Sequence, residues 1–341
     1  MTLHPTSRRM RSHTGFSLVE LMVSLAIGLV IMVAAMSAYI GSAGAGRMAE
    51  AQSRMNEDGQ AALSILSQHI RMSGNNPDQP NRVDDANPAL SSLRNPVYGA
   101  TSLVLAGTAT TSNFSIRGCD GTFSNITTTT SLDNLTCVSG GTTTVPDSIA
   151  VSYEADRFNT IPSSGIPTDC LGNKLPVVTA TVPTIVANTS TMANVTYTVA
   201  DNRFYIGTSG VIVAPSLYCR GNGGNGGGTP QPLVENIESM QLQYGTVSTA
   251  TTSTTATVAG YLHATEVLTD ANLALLADDA ARWAKVVTVR ICVLVRSEAM
   301  VAPDAASAQY LDCQGQLVAN PPDLRLRRAY TTTVVLRNRR L

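Results

Sequence analysis

The chain has 341 residues, a formal net charge of −1 and only 14% charged residues against 43% hydrophobic ones. It can bury a sizeable core, and its charge balance gives no global pull toward nucleic acid or acidic lipid. Six cysteines without a C-x-x-C pair, and four scattered histidines (His4, His13, His69, His263), give poor support to a zinc site.

From the amino terminus, Arg8, Arg9 and Arg11 precede Gly15-Phe16-Ser17-Leu18-Val19-Glu20, and an uncharged apolar run follows from Leu21 to Ile40. A helix over that run, at ~1.5 Å per residue, covers the ~30 Å of a bilayer's hydrocarbon core. The basic flank is held in the cytoplasm, so the bulk of the chain is exported. In an ordinary secretory signal the small-residue cleavage site follows the apolar region. Here the small residue at the hydropathy boundary, Gly15, precedes it, so cleavage there removes a basic leader and keeps the helix. Glu20 is a carboxylate at the head of that helix, where an unpaired charge costs a few kcal/mol or more. The exposed N–H groups of the first turn, a freed amino group on Phe16, or the amino terminus of another copy would each serve as its partner. The last would set register between packed helices.

These residues, continued by Leu21-Met22-Val23-Ser24-Leu25-Ala26-Ile27-Gly28, resemble the class III signal of type IV pilins and of the related pseudopilins of type II secretion. The resemblance implies a prepilin peptidase that cuts after Gly15 and methylates Phe16, and a subunit-docking role for Glu20.

Beyond Ile40, Gly41, Gly44 and Gly46 predict a bend or a melted turn. Met48, Ala51, Met55, Ala62, Leu66 and Ile70 then resume helical spacing, with charged and polar residues between them. The helix should stop near Met72, because Gly74 suits a C′ position and Asn76-Pro77 disfavours a further turn. Residues 75–102 read as a long loop.

Alternation predicts a half-buried strand over Ile149, Val151 and Tyr153, and a hairpin of Arg203–Ile206 with Val211–Ala214. A strand carrying Met240, Leu242 and Tyr244 follows a turn begun at Pro232, and further strands run from Lys285 to Arg296 and from Tyr330 to Asn338. Asp270 to Trp283 has the spacing of one short surface helix. Gly221 to Gly228 reads as a flexible connector, and Thr246 to Thr257 as a solvated loop or an edge hairpin. The sum is an α+β fold: one long helix on an antiparallel sheet with long loops. The division runs as leader 1–15, transmembrane helix 16–40, amphipathic continuation 41–74 and exported globular domain 75–341.

Cys119, Cys137, Cys170, Cys219, Cys292 and Cys313 all lie beyond the membrane segment, where disulfides persist. Of their fifteen connectivities, sequential pairing closes the shortest loops.

Val234–Gly245, Trp283 with Val289–Ile291 and Val293–Ser297, and Tyr330–Asn338 are similar to the PilW-type minor pilins of type IV pilus assembly. That resemblance implies a non-enzymatic subunit that primes assembly at the filament tip. Its expected partners are the prepilin peptidase, other minor pilins and the major pilin, the inner-membrane assembly platform and a tip adhesin. A type II secretion pseudopilin and a DNA- or surface-binding tip module are the alternatives.

No residue set carries chemistry. Gly221, Gly223 and Gly226 satisfy G-x-G-x-x-G, but Pro230 and Pro232 follow in place of the helix that a phosphate site needs. No catalytic motif is present, no cofactor is expected, and the acidic pairs Asp84-Asp85 and Asp278-Asp279 lack the alternating ligands of a calcium loop. The basic tail, Arg325, Arg327, Arg328, Arg337, Arg339 and Arg340, reads as a charged strand edge that resists unwanted pairing. A nucleic-acid patch is the weaker reading of it, since only Tyr330 is interleaved.

Overall fold

The computed structural model describes residues 15–79, 94–98, 113–128, 131–138, 145–186, 189–224, 227–247 and 257–338. Arg8, Arg9, Arg11, Asp84, Asp85, Arg339, Arg340, Gly226 and residues 248–256 of the threonine-rich stretch lie outside them.

One helix, α1 (Leu18–Met72), runs through both of the chain's compact units, residues 1–50 and 51–341. It continues without interruption across Gly41, Gly44 and Gly46, where a bend or melted turn was expected. Glycine costs a helix about 1 kcal/mol per residue but, unlike proline, removes no N–H and clashes with no carbonyl. In the second unit α1 buries Met55, Gly59, Ala62, Leu66, Ser67 and Ile70, the spacing of one apolar stripe. The helix ends at Met72, and Gly74 follows with φ +77°, the left-handed conformation of a C′ glycine.

The second unit is α+β, with two large antiparallel sheets, a number that the sequence leaves open. The first is six-stranded: β1 (Ile116–Cys119), β2 (Ser148–Ala155), β4 (Thr189–Gly207), β5 (Ser216–Arg220) and β6 (Gln231–Glu235) in spatial order, with β3 (Val177–Val186) paired to β4. The second is four-stranded, in the order β12 (Arg325–Val335), β9 (Val286–Met300), β7 (Ile237–Val247), β8 (Val258–Leu262). A short ribbon, β10 (Tyr310–Leu311) with β11 (Leu317–Val318), precedes β12. Leu66 and Ile70 of α1, Ile149, Phe204 and Leu217 of the first sheet, and Met240, Leu242, Val289 and Ile291 of the second share one core.

Two devices join the sheets. The chain passes from β6 to β7 through Asn236 at φ +60°, a conformation that asparagine tolerates better than most residues. Asp147, at the entry to β2, donates its N–H to Met240 O (2.7 Å) and accepts from the N–H of Leu242 (2.7 Å) and of Gly121 (3.3 Å).

Several expectations are corrected. β2 is buried along its whole length, not on one face. Its polar residues are all engaged: Ser148 Oγ donates to Gly121 O (2.9 Å), Ser152 Oγ to Phe114 O (3.1 Å), and Glu154 accepts from Asn95 Nδ2 (2.6 Å). Covering segments that alternation cannot reveal supply these partners. The strand after β4 begins at Ser216, beyond the expected Val211–Ala214, because Ser209 Oγ accepts from the N–H of Val211 (3.3 Å) and Ile212 (2.9 Å) and holds that stretch in a turn. Pro232 lies inside β6, so the turn before β7 is at Asn236.

The expected helix 270–283 is a 3-10 turn, Leu273–Leu275, followed by a short helix that begins only at Asp279, and another short helix precedes them. Asp270 closes α2 (Ala264–Thr269), and its carboxylate accepts from the N–H of Asn272 (3.0 Å). Asp278 then caps α3 (Asp279–Ala284) through the N–H of Ala281 (2.7 Å). Gly221–Gly223 is packed, not a flexible connector: Gly223 N–H donates to Asp169 (2.9 Å), and Asn222 bonds Asp201 N–H and Val199 O. The cysteines pair in chain order, Cys119–Cys137, Cys170–Cys219 and Cys292–Cys313, with Cα separations of 5.6, 6.5 and 5.7 Å. The second of these ties the Asp169 loop to β5.

Helix α1 lies so close to β12 that a Cβ on Gly59 would fall 2.7 Å from the Tyr330 ring, whose hydroxyl is bound to Asn56 (2.6 Å). Gly59→Ala should therefore destabilise the domain by about 1–3 kcal/mol in a denaturant titration. Farther along, His69 Nδ1 lies 3.1 Å from Tyr153 Oη and 3.2 Å from Asn202 Nδ2. Burial lowers the His69 imidazole to about 4, whereas burial pushes the Asp147 carboxyl up to about 7 against the N–H groups of Leu242 and Gly121.

The two groups act in opposite directions. Below 6.5 the unfolded chain protonates His69 and the folded chain does not, so that contribution to stability is lost as pH falls from 6.5 to 4. The folded chain holds a proton on Asp147 that the unfolded chain releases above 3.8, so that contribution grows as pH falls from 7 to 4. Each slope reaches about 1.4 kcal/mol per pH unit. Acidification over this window should stabilise His69→Gln and destabilise Asp147→Asn relative to the unaltered protein. Thermal midpoints that track the unaltered protein in both variants would contradict the assignment.

Candidate functional site

Gly15, Phe16 and Ser17 lie outside the helix, and helical hydrogen bonding begins when Ser17 O accepts from the N–H of Leu21 (3.1 Å). The Gly15–Phe16 peptide bond is therefore in non-helical backbone. A Cβ placed on Gly15 would meet no heavy atom within 4 Å, and Phe16 is 87% exposed. Among the described residues nothing covers the bond.

Of the partners open to Glu20, an N–H at the start of its own helix is the one it takes. Ser17 N–H donates to Glu20 Oε2 (3.0 Å), and Glu20 N–H donates to Ser17 Oγ (3.2 Å). This is a reciprocal capping box with Ser17 at the N-cap and Glu20 at the third helical position. The signal was legible in Ser17-Leu18-Val19-Glu20, since S-x-x-E before an apolar run is the pattern of that motif. The box satisfies donors at the helix start and puts a carboxylate at the positive end of the dipole. It also keeps the Glu20 carboxylate within reach of the backbone nitrogen one residue after Phe16.

From Leu18 to Ile40 every residue is exposed, including Leu21, Leu25, Leu29 and Ile40. This helix is long and apolar enough to cross a membrane.

The basic tail is only partly a surface feature. Arg327 has a side chain 1% exposed, bound to Glu238 (2.5 and 3.1 Å) and Asp323 (2.8 Å). Arg325 pairs with Asp323 (3.3 Å) and donates to the carbonyls of Ser297 and Glu298. Arg328 lies over the Tyr330 ring, and Arg337 is exposed. β12 is an edge strand, as the charged-edge reading requires, but Arg325 and Arg327 serve the fold and cannot meet a phosphate backbone. The acidic pair Asp278-Asp279 starts α3, with Asp279 paired to Arg282 (2.7 Å). Among the described residues no group of three or more His, Cys, Asp or Glu side chains is placed to hold a metal ion.

Two family models match the chain. Residues 10–36 match the prokaryotic N-terminal methylation motif, and residues 203–338 match the type IV pilus-assembly protein W. No curated protein and no solved structure matches it. The first match contains the capping box and the head of the exposed apolar helix; the second runs from β4 to the turn after β12 and takes in the whole four-stranded sheet. With a methylation motif leading into an exposed apolar helix and a PilW match over the carboxy-terminal sheet, the chain is similar to PilW-type, type IV pilin-like proteins at both ends.

Proposed function

We propose that the chain is a minor pilin of the type IV pilus, a structural subunit and not an enzyme. In this reading prepilin peptidase cuts after Gly15 and methylates Phe16. Residues 16–40 then anchor the subunit in the inner membrane with its globular domain in the periplasm. The observation that carries the reading is the helix from Leu18 to Ile40, every residue of which is exposed among the described residues. An apolar surface of that size needs lipid before assembly and other helices after it. The domain points to the filament tip, where it would prime assembly with other minor pilins. Its two sheets and long loops would otherwise have to be accommodated at every step of a repeating shaft.

Labelled subunits observed on intact filaments test the position. Single foci at filament ends, with fewer filaments when the subunit is removed, are the expected result. Copies along the shaft would contradict the tip, and normal pili with lost secretion of an exported substrate would point to a type II secretion pseudopilin.

The capping box separates two roles of Glu20. Glu20→Gln keeps an oxygen to accept from Ser17 N–H but removes the charge offered to the amino terminus of a neighbouring subunit. Losing a charge-assisted bond costs roughly tenfold or more in association. Glu20→Gln should therefore be anchored normally and incorporated into filaments at least about tenfold less. Incorporation equal to the unaltered subunit would remove the docking role.

A further inference from the structure

The four-stranded sheet ends at β12, and part of that edge is open. Leu336 N–H donates to Val287 O (2.8 Å), and the register continues through Val334 opposite Val289 and Thr332 opposite Ile291. Along an antiparallel pair, bonded and non-bonded positions alternate. Thr331, Thr333 and Val335 therefore turn their N–H and C=O groups away from β9, and all three are exposed. The segment has no proline, and the only register shift of β12 lies earlier, between Arg325 and Arg327. Thr-Thr-Thr-Val-Val is a β-forming run of the kind that templates pairing when left at an edge.

Beside this edge the second half of α1 forms a wall. A groove of about 700 Å³ lies between Leu63, Ser64, Gln68 and Arg71 of the helix and Thr331 and Thr332 of the strand. A second, of about 440 Å³, continues past Arg71 to Val335 and Arg337. Arg71 and Arg337 are exposed, and among the described residues no acidic side chain lines either groove. In sequence, Arg339 and Arg340 follow at once.

We propose that this edge and its groove take up an extended, acidic segment of a different filament subunit, which adds a fifth strand next to β12. The strand supplies partners for the outward N–H and C=O groups of Thr331, Thr333 and Val335, while its carboxylates meet Arg71 and Arg337. The proposal rests on the filament-subunit reading above and names how that subunit is held by its neighbour.

The test uses the full-length protein expressed in its host, with a photo-reactive benzophenone side chain at Val335. Mass spectrometry of the adduct from purified filaments identifies the partner residue. The expected adduct is a segment of another pilin subunit with Asp or Glu within two residues of the link. Thr333→Pro removes an outward N–H without taking a ladder bond, and the pair Arg71→Glu with Arg337→Glu reverses the charge. Each should lower adduct yield roughly tenfold with amino-terminal processing and thermal midpoint unchanged. An adduct only to the chain's own last residues, to a second copy of this chain or to lipid overturns the proposal. So do yields that neither variant changes. Filaments that contain the subunit without the adduct refute the strand docking alone; filaments that lack the subunit refute the assembly reading as well.

Discussion

The structure depends on one solvation constraint, imposed on a single helix. From Leu18 to Ile40 α1 presents exposed apolar side chains among the described residues, whereas from Met55 to Ile70 it buries one stripe in the domain's core. The first part has no stable place in water and the second has no stable place in lipid. The capping box at Ser17 and Glu20 sits at the start of the apolar part, where orphan N–H groups and a carboxylate would each be costly alone and satisfy one another together.

The domain around the second half of α1 shows how a β-rich body is fixed without a large charged surface. Its sheets meet at Asn236, where one strand leaves the first and the next begins the second, and at Asp147, whose backbone and carboxylate both bond β7. Three disulfides close loops onto β1, β5 and β9, so each large sheet has at least one strand tied to a neighbouring loop. The His69, Tyr153 and Asn202 side chains bring α1, β2 and β4 to one buried point. These contacts fix the helix on the first sheet, while Gly59 against Tyr330 sets its distance from the second.

Much of this was legible in the residues. The end of α1 at Met72, the strands around Val289 and Val334, and the stripe from Met55 to Ile70 all follow from periodicity and a terminal glycine. The long β3–β4 hairpin did not, because its threonines and valines alternate weakly and Asn and Ser interrupt them. The full burial of β2 was hidden for another reason: the groups that satisfy Ser152 and Glu154 come from segments 38 and 59 residues away in sequence. At the candidate site Gly15, Phe16 and Glu20 stand out by their order along the chain, whereas the part of Ser17 shows only when S-x-x-E is read as a capping pattern. The buried ion pairs of Arg325 and Arg327 are not legible in the sequence, because their partners Glu238 and Asp323 can be assigned only once β12 is placed.

The most direct test of the account is the amino-terminal sequence and intact mass of the membrane-extracted protein, from cells with and without prepilin peptidase. The account expects a chain that begins at Phe16 and carries one added methyl group when the peptidase is present, and the full leader when it is absent. A chain that keeps its leader regardless of the peptidase would contradict it, and would leave the helix from Leu18 to Ile40 as a simple membrane tether.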